Sequence, residues 1–179
     1  IDVSLVGSEM CIRDRDLTSK VTGILPVANG GTGLSAAASV PTFMLTTTGS
    51  HTVTNNVAYT VPLTVKTIDT HNLLDASDYT VKFTAATAGT YFVTGRTGLV
   101  YSPTRMFVSL RVNGTNIATH RETTSTNVGS GSYQSCAVSF IHTFADGDQL
   151  QLRLYFLATA NQSLYGGDST SLHGFRIST

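Results

Sequence analysis

The sequence of 179 residues predicts an all-β protein, an antiparallel β-sandwich or jelly roll of about eight to ten strands. Three observations support this prediction. Apolar residues alternate with polar ones in several runs, as in strands that bury one face. Turn-forming residues separate these runs at intervals of roughly eight to fifteen residues, as in sandwiches and barrels. No stretch repeats its apolar residues with the 3.6-residue period of a helix.

The strongest alternation lies in residues 79–113. Two apolar rows occupy alternate positions there, namely Tyr91, Val93, Leu99 and Tyr101, then Met106, Val108, Leu110 and Val112. Asn113-Gly114 follows the second row, and both residue types readily take the positive φ angles of a tight hairpin turn. We therefore predict a long strand, a break at Ser102-Pro103, a second strand and a hairpin that leads into the next strand.

The flanking sequence continues the pattern. Phe43–Thr48 and Val53–Val65 are rich in Thr and Val, Pro62 favours an edge or a bulge, and Asp69–Ser77 has the composition of a loop. The other strand regions are, in order, Tyr79–Phe83, Ile117–His120, Tyr133–Phe144, Leu150–Phe156 and Leu172–Ile177. The connections expected between them are a long polar loop at Arg121–Ser132, a turn at Asp146-Gly147-Asp148 and a loop at Thr159–Gly167.

Composition limits the classes of function. Charged residues make up 12% of the chain, and the formal net charge is zero, so no overall field attracts nucleic acid or an anionic membrane. No run of about 18 apolar residues is present, and the first residues lack the basic-then-apolar order of a secretion signal. We therefore expect neither nucleic-acid binding nor membrane insertion.

The first 15 residues form a separate segment. Leu5–Asp14, LVGSEMCIRD, resembles one reading frame of a transposon-based sequencing adapter. We therefore expect residues 1–15 to be an assembly artefact, which has no part in the predicted fold. Cys11 belongs to this segment, so Cys136 is the single remaining cysteine. Its alternating strand position predicts a small buried hydrophobic side chain.

Residues 16–40 are rich in Gly, Ala and Ser and predict a connector before a head domain at residues 41–179. Within it, GILPVANGGTGLS at residues 23–35 resembles the GxLPVANGGTG segment of bacteriophage tail-fibre and related virion proteins. That resemblance implies the end of a fibrous shaft followed by a distal globular head. Gly31–Ala36 also fits the GxGxxG/A dinucleotide fingerprint, but no helical pattern follows it. We therefore expect no nucleotide or other cofactor.

A second resemblance covers most of residues 41–179. Phe83, Gly89, Tyr91 and Val93 resemble the F-T/A-x-P/A-x-x-G-x-Y-x-F signature of complement-q and tumour-necrosis-factor (TNF) jelly rolls, with Val93 in place of the usual Phe. Gly147–Leu152 matches the GDxVxL turn and strand of the same families. This resemblance implies a compact homotrimer in which the inner sheet of each sandwich faces a three-fold axis.

The sequence contains neither a GxSxG nucleophile elbow nor an HExxH zinc motif. Six aspartates lie at predicted turns, where Asp is favoured for local backbone hydrogen bonds: Asp69, Asp75, Asp78, Asp146, Asp148 and Asp168. The histidines show no ligand spacing, and His142 shares a strand face with Phe140 and Phe144, as a core or interface histidine would. We predict no catalytic residue and no metal site within one chain; an axial metal shared by three subunits stays open.

Polar loops are the remaining candidates for a binding site. Basic residues are dispersed, and Arg111 and Arg153 fall opposite apolar rows as solvated strand residues, so we expect no basic stripe interleaved with aromatic residues. The predicted loop regions combine Tyr and Arg with Ser, Gly and Asn, a mixture common in binding loops on sandwiches. The candidate contact residues are Tyr101, Arg105, His120, Arg121, Asn161, Tyr165 and Asp168.

These observations predict a non-enzymatic, receptor-binding head of a phage tail fibre, located on the virion and extracellular. Its expected partners are other copies of itself in a homotrimer, a host-surface glycan or outer-membrane protein, and virion subunits on its N-terminal side. The alternative is a purely structural tail or capsid-decoration protein whose loops contact other virion subunits. A receptor-degrading enzyme has no supporting residues, and the connector disfavours a cellular complement-q-like ligand.

Overall fold

The computed structural model describes residues 40–100, 103–123 and 133–179. The adapter-like segment, the connector before Val40 and the candidate contact residue Tyr101 lie outside the described residues. All regular secondary structure in the described part is β-strand, so the predicted all-β class is confirmed.

The strands are, in chain order, β1 (Thr42–Thr47), β2 (His51–Val53), β3 (Tyr59–Thr60), β4 (Val65–Asp69), β5 (Leu74–Asp75), β6 (Thr80–Lys82), β7 (Gly89–Val100), β8 (Arg105–Val112), β9 (Thr115–Thr123), β10 (Tyr133–Phe144), β11 (Gln149–Leu157), β12 (Gln162–Leu164) and β13 (Gly167–Ser178). The described part therefore contains more strands than predicted. The difference arises mainly because β2, β3, β5 and β12 have only two or three residues each. Segments of that length carry no readable alternation.

The strands form two antiparallel sheets with the core between them. In the first sheet, the order is β2-β12-β7-β13-β1-β4, and β10 pairs with β7 along its whole length. In the second sheet, the order is β5-β6-β11-β8-β9, and β3 also pairs with β11. This arrangement confirms the predicted antiparallel sandwich or jelly roll.

Alternate residues of the long strands fill the core. The fully buried ones include Tyr91, Val93 and Leu99 of β7, Met106, Val108 and Leu110 of β8, and Leu150, Leu152, Leu154 and Phe156 of β11. Each such burial contributes roughly 1.5–3 kcal/mol to folding. The predicted apolar rows are confirmed wherever the structure describes them, and Cys136 is buried among them as expected.

The signature at residues 83–93 has a packing role. The Phe83 and Phe144 rings stack with centroids 4.0 Å apart, and the Tyr91 ring meets each of them edge to face. The Tyr91 hydroxyl donates a hydrogen bond to the Thr87 carbonyl, which satisfies the polar end of this buried ring. Gly89 has a φ of 140°, and a Cβ there would lie 2.5 Å from the Ser178 carbonyl oxygen. Only glycine fits this position, and the signature therefore closes one end of the core.

Two predicted boundaries are wrong near the start of the second sheet. Tyr79 has a φ of 58° and forms the turn before β6 instead of continuing the strand. The predicted loop at 69–77 contains β5 and the buried residues Leu73 and Leu74. The Asp69 carboxylate accepts the N–H groups of both leucines, which draws this segment inward.

Two predicted loops later in the chain are partly strand. β9 continues through Arg121 to Thr123, because its pairing with β8 extends to Arg105. The predicted loop at 159–167 contains β12, which pairs with β2 and with the end of β7. Both extensions depend on partners distant in the sequence, so local composition alone reads these residues as loops.

The sandwich has two ends that differ in content. At the terminal end, Ser178 pairs with Thr90, Pro41 accepts a hydrogen bond from the Arg176 N–H, and the turns at 83–88, 113–114 and 145–148 meet. At the loop end, the turns at 54–58 and 158–161 are joined by hydrogen bonds of the Asn55 side chain to the Ala158 backbone and of the Asn55 N–H to the Asn161 side chain. Both the first and the last described residues therefore lie at the terminal end.

Candidate functional site

Three of the predicted contact residues lie toward the loop end on the side of the first sheet. The Asn161 side chain accepts a hydrogen bond from the Asn55 N–H at 3.0 Å and so joins two turns. Tyr165 is 40% exposed, and its ring meets the Tyr133 ring edge to face with centroids 5.0 Å apart. Asp168 is exposed at the start of β13. An exposed tyrosine pair beside polar groups suits contact with a sugar or a protein surface.

The other three described contact residues lie on strands of the second sheet. Arg121 is the register partner of Phe107, and its guanidinium carbon lies 5.5 Å from the centre of the Phe107 ring. Alternation places Arg105 on the same outer face as these two residues. His120 is the register partner of the buried Val108, so it lies on the other side of β9. The structure therefore brings Arg105 and Arg121 together and separates His120 from them.

The outer surface of the second sheet carries a larger set, here called the arginine face: Arg105, Phe107 and Arg111 of β8, Arg121 of β9, and Arg153 and Tyr155 of β11. Phe107 is the register partner of Tyr155, and their rings meet edge to face with centroids 5.5 Å apart. Arg111 is the register partner of Gln151, so Arg111 and Arg153 are diagonal neighbours. The side chains between these positions point into the core, which directs the arginines and rings outward.

A groove of about 650 Å³ is lined by Arg111 and Arg153 of the arginine face, together with Tyr155, Ser109 and Thr119. Within the described residues, salt bridges join only lysines to aspartates, so neither guanidinium has a carboxylate partner there. Arg111 donates a hydrogen bond through Nε to the Gly114 carbonyl. Partial burial and the neighbouring Arg111 charge lower the pKa of Arg153. The groove thus holds two cations side by side, and no carboxylate of residues 40–100, 103–123 and 133–179 forms a salt bridge with either.

The arginine face corrects one prediction. We expected no basic stripe interleaved with aromatic residues, and this is wrong for the second sheet, where arginines surround two contacting rings. The signal was present in the polar halves of the alternating strands: Arg105, Phe107 and Arg111 on β8, then Arg153 and Tyr155 on β11. It was missed because the pairing of β8 with β11, which brings the two sets together, cannot be deduced from either strand alone.

The outer surface of the first sheet is different in character. Ile141, Phe92 and Phe175 are register neighbours on β10, β7 and β13, and Ile68 lies on the same surface beside Met44. These four residues, Ile68, Phe92, Ile141 and Phe175, are here called the apolar face. Ile141 is 63% exposed and Phe175 is 46% exposed. Exposed apolar side chains grouped in this way mark an interaction surface.

Candidate catalytic and metal-binding groups have local structural roles. Asp69, Asp75, Asp78 and Asp148 accept hydrogen bonds from backbone N–H groups within five residues, as predicted for turn aspartates. Burial raises the pKa of the Cys136 thiol to about 11, so the thiol is protonated at neutral pH. In residues 40–100, 103–123 and 133–179, no three His, Cys, Asp or Glu side chains are grouped as a metal site requires. The same residues include no helix with the length and hydropathy of a membrane span.

Two antiparallel sheets in this order define a jelly roll of the complement-q and TNF type. Eiger TNF from S. frugiperda matches with a TM-score of 0.60 and 12% identity, over 78% of this chain and 93% of that chain. The globular domain of zebrafish complement 1qA matches with a TM-score of 0.53 and 12% identity, over 76% of this chain and 97% of that chain. Murine APRIL at pH 8.0 matches with a TM-score of 0.54 and 17% identity, over 76% of this chain and 98% of that chain. The sequence matches no protein-family model and no curated protein.

Proposed function

We propose that this chain forms the trimeric, receptor-binding head of a phage tail fibre or a related virion appendage. The apolar face is the observation that carries the proposal. Ile141, Phe92 and Phe175 form an outward-facing row across three strands, in which Phe92 is partly buried, and a second copy that covered this row would remove it from water. The resemblance to complement-q and TNF jelly rolls supports three copies arranged about an axis next to this sheet.

The position of the chain termini favours the loop end as the receptor-binding end. Val40, the first described residue, lies at the terminal end of the sandwich. The opposite end then presents Asn161, Tyr165 and Asp168 to a receptor.

The proposed receptor is a glycan or an outer-membrane protein of the host surface. Binding of this kind requires no chemical step. Three weak sites on one trimer would act together and increase the avidity by about 10²–10⁴ over one site. Modest contacts at each loop end would therefore be sufficient for adsorption.

Competition with adsorption tests this proposal. The purified full chain, added to host cells before the phage, should reduce the rate of adsorption, because it occupies the same receptors. Asp168→Asn should weaken this inhibition, whereas the matched substitution Asp146→Asn at the terminal end should not. Unchanged adsorption at saturating protein would contradict receptor binding and favour the structural virion protein. Release of sugar from host polysaccharide would indicate a receptor-degrading enzyme instead.

A further inference from the structure

We propose that the groove on the arginine face binds an acidic saccharide, with Arg111 and Arg153 contacting its anionic group. This inference rests on the proposed receptor-binding function, and it names the class of glycan that the head would recognise. It places this contact on the outer strands of the second sheet, in addition to the predicted residues at the loop end.

The charge arrangement of the groove is the first argument. Diagonal neighbours on paired strands have Cα atoms about 7–8 Å apart, so the forks of Arg111 and Arg153 can both reach one oxyanion. Neither fork has a carboxylate partner in the described residues, and Arg153 is partly buried beside the other cation. A bound carboxylate or phosphate would relieve this repulsion and accept charge-assisted hydrogen bonds from both side chains.

The lining of the groove is the second argument. Its volume of about 650 Å³ falls within the range of small-molecule sites, about 300–1,000 Å³. Ser109, Asn116 and Thr119 supply hydroxyl and amide groups that can pair with sugar hydroxyls. Phe107 and Tyr155 add apolar surface on the same wall, which suits the carbon face of a sugar ring. Anionic, polar and apolar contacts are thus present in one cleft.

The state of the aromatic rings favours a saccharide over nucleic acid. Single-stranded nucleic acid is held by bases that stack on free aromatic faces. Here the Arg121 guanidinium lies over the Phe107 ring, and the Phe107 and Tyr155 rings meet edge to face, so the two rings do not form a parallel series on which successive bases could stack. The chain also has a formal net charge of zero, which gives little attraction for a polyanionic backbone.

Titration calorimetry of the full chain with defined sugars tests the inference. The probes are trigalacturonate, which carries carboxylates, and mannose 6-phosphate, which carries a phosphate; maltotriose and mannose are their neutral counterparts. We expect the acidic probes to bind at least about tenfold more tightly than the neutral ones in 0.15 M salt. The stronger of the two acidic probes identifies which anionic group the groove prefers.

Matched variants assign the binding to the groove. Arg153→Gln removes a guanidinium that has no described hydrogen bond, so the fold should persist, and binding should weaken about tenfold. Lys66→Gln removes one positive charge from the first sheet and should leave the affinity within about twofold. Arg153→Lys keeps the charge but loses the fork, and should give an intermediate affinity. Circular dichroism verifies that each variant is folded.

Three results would overturn the inference. They are equal affinity for acidic and neutral probes, full affinity of the Arg153→Gln variant, and tighter binding of a thymidine decanucleotide than of either acidic sugar. The groove lies within one protomer, so these results do not depend on trimer formation. If adsorption competition persists while acidic sugars fail to bind, only this inference fails. If acidic sugars bind while adsorption is unaffected, only the proposed receptor function fails.

Discussion

The outer surfaces of the two sheets differ sharply, although the same core supports both. The apolar face places Ile141, Phe92 and Phe175 in one exposed row on the first sheet. On the second sheet, the arginine face surrounds two aromatic rings with guanidinium groups and encloses a groove. An apolar surface is stabilised when another protein covers it and removes it from water. Two neighbouring cations are stabilised when an anionic ligand binds between them. The two proposals therefore concern different sheets, with self-association on the first sheet and ligand recognition on the second.

We expect the largest effect on stability from a substitution in the shared core, because the core supports both the apolar face and the arginine face. Leu152 is fully buried on β11, and Leu152→Ala should lower the free energy of unfolding by about 2–5 kcal/mol, because it removes packed methyl groups and leaves a cavity. Its neighbour Gln151 points outward, and Gln151→Ala should stay within about 0.5 kcal/mol of the unmodified chain. Denaturant unfolding measures both. Equal effects, or a larger effect of Gln151→Ala, would contradict the burial of Leu152 on the inward side of β11.

The strand alternation that makes this prediction possible was readable from the sequence. The inward rows of β7 and β8 were predicted residue by residue, because the period of two is a local property of a half-buried strand. The short strands β5 and β12 were not predicted. β5 has two residues that pair with the nearby β6, and β12 has three that pair with β2 far away in the chain; segments of this length show no readable alternation.

A charge placed on the apolar face should disrupt the proposed self-association and leave the second sheet unaffected. Ile141→Arg should convert the proposed trimer into a folded monomer, because each interface would lose a buried side chain that contributes roughly 1.5–3 kcal/mol and gain a charge. Gln149→Arg introduces the same charge at an exposed position of β11 and should leave the trimer intact. Sedimentation distinguishes the two variants. Dissociation of both, or of neither, would contradict the assignment of the interface to the apolar face.

Acid should weaken the first sheet through His173, with a smaller effect. His173 lies between Met44 and Thr94 in register, and its Nε2 is buried without a described hydrogen-bond partner. Burial lowers its pKa, and the charge of Asp168 opposes this only in part. Below pH 6.5 the unfolded chain takes up a proton that the folded chain resists, so stability falls as the pH decreases.

Thermal unfolding at pH 7.5 and 5.5 measures this dependence. The decrease in melting temperature should be smaller in the His173→Asn variant than in the unmodified chain. His71→Asn, at an exposed position after β4, is the matched control and should retain the full decrease. If both variants keep the same pH dependence, His173 is not its source.

We expect the smallest effect on the melting temperature from removing the charge of Lys82, a cation of the second sheet that forms salt bridges. Lys82 forms salt bridges with Asp75 at 2.7 Å and with Asp78 at 3.1 Å, and all three side chains are at least 35% exposed. Lys82 and Ser77 hold the pKa of Asp75 well below its usual range, so this contribution is present at neutral pH and is lost as the pH falls below that range. Lys82→Gln should therefore lower the melting temperature slightly at pH 7 and by less at pH 2. A shift as large as that of Leu152→Ala would contradict this ranking.

The binding surfaces were less predictable than the core. Alternation indicated that Arg111 and Arg153 point outward, but their proximity follows from the pairing of β8 with β11, which no local pattern encodes. Composition likewise indicated Arg121 and Tyr165 as contact residues, and it predicted that both lie in loops. The structure instead places Arg121 on a strand over an aromatic ring and Tyr165 against Tyr133 on the other sheet. Residue type thus indicated which side chains could bind, and sheet order determined which of them act together.

Sedimentation equilibrium of the unmodified full chain tests the central claim most directly. The account predicts a single species of three times 19.0 kDa at micromolar concentration, because the apolar face of each copy is covered by the others. A mass of 19.0 kDa across that concentration range would contradict it, since the exposed row on the first sheet would then have no partner among copies of this chain.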